Sequence, residues 1–215
     1  MQFVLPSLAT WNGVYPPGTE PHALAWPASE KSTPNFSDWQ PGDLVLVRSN
    51  GSKISAAIQG VQGSLRSSSP PFGEPEWTHV AMYVQDGLLI ESVPMHGIRY
   101  VPVHHYVTTR EVRVRRLNRG GVPIGLLEGE RIVRAAAEFF DSGYAYAAIA
   151  RHLFMQMAIT SPNSNSFFCS SFVAVAYTKS LRVVLESNPD HRPLLPATLV
   201  NHPKFFDVEL EWRHV

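Results

Sequence analysis

Five short apolar runs separated by turn residues organise the middle of this chain. LVLVR (44–48), HVAMYV (79–84), LLIESV (88–93), IRYVPV (98–103) and EVRVRRL (111–117) are rich in β-branched and aromatic residues, with Gly, Pro, Asp or Asn between them. That is the composition of strands. The last four follow one another and predict an antiparallel meander at the centre of the fold. Between the first and second runs, KISAAIQGVQG (53–63) reads as a turn or two of helix. SLRSSSPPFGEPEW (64–77) reads as a loop of the length that usually makes a lid or a binding element.

Beyond Gly120 and Gly121 the period changes. Ile132, Val133, Ala136, Phe139 and Phe140 recur at helical spacing. The helix is expected to begin near Glu130, with Glu128 and Glu130 at the positive end of its dipole. Gly143 separates it from a second helix through Met157, and Pro162 to Asn165 make a turn before a third apolar run, FFCSSFVAVAY (167–177). The tail from Ser187 reads as Pro-punctuated coil ending in an edge strand, FDVELEW. Ahead of all this, residues 1–41 carry seven prolines interleaved with Trp11, Trp26 and Trp39. Prolines oppose regular structure and tryptophans favour docking, so residues 1–40 are expected to pack as an irregular extension on a domain spanning 41–215. The fold class is α+β, a central antiparallel sheet packed against helices.

Composition narrows the function. With 44% hydrophobic residues the chain is expected to fold around a substantial core. Lys plus Arg and Asp plus Glu number 18 each, so no net field recruits nucleic acid or an anionic surface. Arg110, Arg113, Arg115, Arg116 and Arg119 cluster on one run and are expected to form a solvated strand face. The start, MQFVLPSLATWNG, has no basic leader and is broken by Pro6, which predicts synthesis in the cytoplasm without a secretory signal. No run of about 20 apolar residues occurs, so no integral membrane association is expected. His104 and His105 would face opposite sides of a strand, no His-Glu-x-x-His occurs and no glycine-rich phosphate loop is present, so neither a metal nor a cofactor is expected.

One feature of the sequence bears directly on chemistry. Cys169 is the sole cysteine and cannot make an intrachain disulfide, so it serves packing or reactivity. Flanked by Phe167, Phe168 and Phe172, a thiol alone reads as core filling. Yet with Ser166 or Asn165 as N-cap it falls in the first turn of a helix, where free N–H groups favour an anion. His79 supplies the base that a thiol nucleophile needs. Glu91 is its candidate partner, and hairpin geometry decides. A three-residue loop Gln85-Asp86-Gly87 with Gly87 left-handed pairs Ala81 with Glu91 and puts the carboxylate on the face of His79. A two-residue loop Asp86-Gly87 pairs Met82 with Glu91 and turns it away.

PGDLVLVR (41–48), THVAMYVQDGLLIES (78–92) and FFCSSFV (167–173) together resemble the NlpC-type papain-like fold. The helix comes last instead of first, which is the order of the circularly permuted branch that includes YiiX-like proteins and lecithin:retinol acyltransferase relatives. Ala81 and Ser171 stand where that family usually has glycine. The resemblance implies Cys169 as nucleophile, His79 as base and Glu91 as third polar residue of a cysteine hydrolase acting on peptide-type amides. Peptidoglycan stem peptides are the leading substrate. An antibacterial effector, delivered by a contractile, type VI-like secretion machine to a target periplasm and matched by an immunity protein, is a compatible role. Lipid acyl transfer or thioester hydrolysis by the same pair, and a catalytically silent binding module, stay open as rivals.

Overall fold

A strand with apolar side chains on both faces needs cover on both sides, and that requirement sets the architecture. The computed structural model describes residues 32–48, 76–93, 97–107, 110–139, 167–185 and 194–214. In chain order these form β1 (Ser32–Pro34), a single 3-10 turn (Phe36–Asp38), β2 (Leu44–Arg48), β3 (Trp77–Gln85), β4 (Leu88–Val93) and β5 (Gly97–Pro102). They are followed by α1 (His104–Val107), β6 (Glu111–Arg119), β7 (Val122–Pro123), α2 (Leu126–Ala137) and α3 (Phe167–Leu181). The last elements are α4 (Pro196–Val200), β8 (Phe205–Val208) and β9 (Trp212–His214).

In β2, Leu44 to Val47 are fully buried. Leu44 and Leu46 join a core with Val80, Met82, Ile132, Phe172 and Leu199, under α2, α3 and α4. Val45 and Val47 join a second core with Trp39, Ala81, Tyr83, Leu89 and Tyr106. Burial on both faces explains why this strand is a continuous apolar run and why it lies inside the sheet. The principal sheet runs β5-β4-β3-β2-β6-β7, with β8 also on β6, and a separate ladder joins β1 to β9. The predicted meander is therefore interrupted. Strands β3, β4 and β5 follow in order, but β2 lies between β3 and β6 and is antiparallel to both.

Other expectations shift for identifiable reasons. Helix α2 starts at Leu126, four residues before Glu130, because Leu126 and Leu127 are exposed and carry no core periodicity. Its start is set instead by Glu128, whose Oε2 accepts from the Gly125 N–H at 3.2 Å. His104 and His105 lie in α1, not in a strand. The tail holds α4, and the expected FDVELEW edge strand splits into β8 on β6 and β9 on β1. Residues 1–31 of the extension, the segments 53–63 and 64–75, the helix through Met157 and the N-cap candidates Asn165 and Ser166 lie outside the described residues.

The arginine run is not a solvated face throughout. Arg115 is buried and donates to the carbonyls of Leu199 (3.0 Å), Val200 (2.7 Å), His202 (3.3 Å) and Phe205. It thus serves the orphan carbonyls at the end of α4. Arg116, also buried, pairs through Nε and Nη2 with Asp43 at 2.8 and 2.7 Å. Asp43 further accepts from the Gln40 N–H at 2.8 Å, which fixes the Pro-Gly-Asp turn. Tyr177 of α3 donates to the Gly42 carbonyl in the same turn. Gly129 makes the neighbouring approach possible, since a Cβ there would lie 2.0 Å from the Pro41 carbonyl oxygen.

Candidate active site

The hairpin places Glu91 by a route that neither simple register anticipates. Asp86 (φ 48°) and Gly87 (φ 78°) both occupy the left-handed region, so the connection is a two-residue turn and Gln85 pairs with Leu88. Register then shifts between Tyr83 and Gln85, and Met82 faces Ile90. The bulge restores the pairing expected of the three-residue loop, and Glu91 ends beside His79. A second irregularity sits at His79 itself, where Val47 faces His79 but Arg48 faces Trp77. Thr78 is the extra residue there, and bulges of this kind re-aim the side chains around them.

His79 Nε2–H donates to Glu91 Oε2 at 2.7 Å. The ring's other nitrogen, Nδ1, is left for the thiol, and the His79 and Cys169 side chains are hydrogen-bonded. Cys169 is the third residue of α3 and so lies in its first turn, as expected. Three side chains distant in sequence thus form one chain, Cys169 to His79 to Glu91. Cys169 is 4% exposed and the His79 side chain 16%, so the pair is shielded without being sealed.

Two residues absent from the sequence reading complete the arrangement. Arg99 lies directly across from Glu91 on β5, and its Nε donates to Glu91 Oε1 at 2.8 Å. Tyr106 of α1 donates its hydroxyl to Glu91 Oε2, and its ring centroid lies 5.6 Å from that of His79. Arg110 covers the Tyr106 ring at 5.4 Å, and His105 meets its edge at 5.0 Å. Strand pairing of IRYVPV with LLIESV carried the only sequence signal for Arg99. Tyr106 had none, because α1 reaches the site through tertiary packing alone.

A fully buried carboxylate is costly unless its lone pairs are taken up. Burial pushes Glu91 upward, but the positive charge of His79 and hydrogen bonds from His79, Tyr106 and Arg99 outweigh it and hold the carboxyl down at about 2. Burial likewise pushes His79 down, yet the Glu91 charge and hydrogen bonds with Cys169 and Glu91 lift it to about 10. The imidazole is therefore held as the cation at neutral pH. Burial and the Glu91 charge raise the Tyr106 phenol, which keeps it a donor. Burial lowers His105, so that ring adds no charge beside the pair at neutral pH.

A helix-borne thiol meeting a strand-borne imidazole over an antiparallel sheet is the arrangement of papain-like cysteine hydrolases, here with the helix after the sheet. The model of the Peptidase_C92 family, permuted papain-like amidase enzymes of the YaeF/YiiX type, matches residues 38–190, and the chain belongs to this family. It is accordingly an enzyme of the cysteine peptidase and amidase class. No curated protein and no solved structure matches the chain.

Proposed function

We propose that Cys169, His79 and Glu91 hydrolyse peptide-type amides, with peptidoglycan stem peptides as the substrate. The observation that supports it most is the unbroken contact from thiol to imidazole to buried carboxylate in a chain of the permuted amidase family. Cys169 Sγ, as the thiolate whose proton His79 holds, attacks the amide carbonyl carbon, forming the C–S bond as the carbonyl electrons move to oxygen. N–H groups of the first turn of α3, which have no intrahelical acceptors, stabilise that oxyanion. His79 gives its proton to the nitrogen as the C–N bond breaks, leaving a thioester and a free amine. It then takes a proton from water, which attacks the thioester and releases the acid. Glu91 keeps the ring in the orientation that presents Nδ1 to sulfur throughout.

Digestion of purified sacculi, with fragments identified by mass spectrometry, tests the substrate. New amine and carboxyl ends within stem peptides are expected. Intact sacculi combined with a stable acyl-cysteine after exposure to lipid acyl donors would replace this reading with acyl transfer. A role as a wall-directed effector, with a secretion machine and an immunity protein as partners, is compatible with the same substrate. Directing the chain to the periplasm should lyse cells and cytoplasmic expression should not; equal outcomes would remove the effector role.

A further inference from the structure

We propose that the cavity at the open end of β2, β3 and β6 is a subsite for a substrate carboxylate. This deepens the peptide-amidase reading above and rests on it.

Among the described residues the cavity is lined by Arg48, Trp77, Glu111, Val112, Arg113, Val200 and Asn201, with a volume of about 380 Å³. That is near the lower end of ligand sites, room for a residue or so and not for a long chain. Its walls have distinct characters. Trp77 and Val200 are apolar, Asn201 offers an amide, and the charged members are two arginines against one glutamate. The chemistry favours an anion attached to a short aliphatic body. Guanidinium groups match a carboxylate in shape as well as charge.

Two links run from the cavity towards the candidate active site. On β3, Trp77 lies two residues before His79, with the extra residue Thr78 between them. On the helical side, Ser170, beside Cys169, donates to the Leu194 carbonyl at 2.6 Å, just ahead of α4, and the far end of α4 brings Val200 and Asn201 to the cavity.

The resident ion pair fits such a role. Arg48 Nη1 donates to Glu111 Oε2 at 2.9 Å, but the two side chains are 32% and 59% exposed. Pairs so wetted contribute little to stability, so Arg48 can exchange Glu111 for an incoming carboxylate. Arg113 is held in place by two N–H bonds to Asp207 at 2.8 and 2.7 Å, and marks the second cationic edge.

The test uses the full chain carrying Cys169→Ala, titrated calorimetrically with N-acetyl-alanyl-alanine and with its C-terminal amide. The free acid is expected to bind at least about 10-fold more tightly, a difference of about 1.4 kcal/mol. Arg48→Gln should abolish that preference, whereas Glu111→Gln, which removes the competing carboxylate, should strengthen it. Loss of a merely structural ion pair would move both variants in the same direction, and that result would overturn the proposal. Equal binding, or no binding, of acid and amide would also overturn it. Because no cleavage is read, failure of the sacculus digestion counts against the functional reading alone.

Discussion

His79 and Glu91, twelve positions apart on neighbouring strands, are joined by a 2.7 Å hydrogen bond in which the carboxylate is fully buried and the ring is not. The arrangement is asymmetric: the anion is locked by three donors, and the cation is the member that faces the thiol.

Glu91→Gln should lower the alkaline limit of activity. His79 lies at about 10 against an ordinary 6.5, so the imidazolium persists until the pH rises through about 10. Removing the negative charge withdraws the largest upward influence, and burial then moves the ring back towards or below 6.5. A pH profile of kcat/KM should show the descending limb moving to lower pH, with kcat reduced on the order of 100-fold by loss of ring orientation.

Arg99→Met should move the same limb the other way. Arg99 is a cation sharing Glu91 with His79, so its removal leaves His79 as the sole positive partner of that carboxylate. The upward shift should be the smaller of the two, because the Arg99 side chain is 38% exposed and water screens it. A downward or equal shift would show that Arg99 acts only as packing.

Cys169→Ala and His79→Ala should each abolish turnover while the chain remains folded. The first removes one buried sulfur, a loss of about 1 kcal/mol, which a thermal melt beside the activity assay will register as a small shift. Residual turnover in either variant would remove that residue from the mechanism.

Asp43→Asn should destabilise the protein by about 3–5 kcal/mol, because it leaves the buried Arg116 guanidinium without its counter-charge. A denaturant midpoint measurement reads this directly. The cost is a large share of the total stability typical of a domain.

Gly129→Ala should lower Tm although alanine favours a helix by about 1 kcal/mol over glycine. The new Cβ would fall 2.0 Å from the Pro41 carbonyl oxygen, and backbone must move to admit it. A raised Tm would mean that α2 shifts away from the turn without penalty.

The central strands were legible because their runs have the residue types that a buried sheet demands, LVLVR among them; that β2 is covered on both faces came from the structure. The sequence also exposed Cys169 and His79 through residue chemistry, and reduced Glu91 to a question of register. What it left open was resolved by contacts that no local pattern encodes. A bulge after a two-residue turn returned Glu91 to His79, Arg99 met it from the next strand, and Tyr106 came from a short helix. Arg115 and Arg116 read as solvated until α4 and the Pro-Gly-Asp turn closed over them. Periodicity reports which face a side chain takes relative to its own neighbours, so the chain alone determined the central strands, the principal helices and the reactive types. Which carboxylate, phenol and guanidinium converge on one ring depends on pairings between distant segments, and only the tertiary structure decides those.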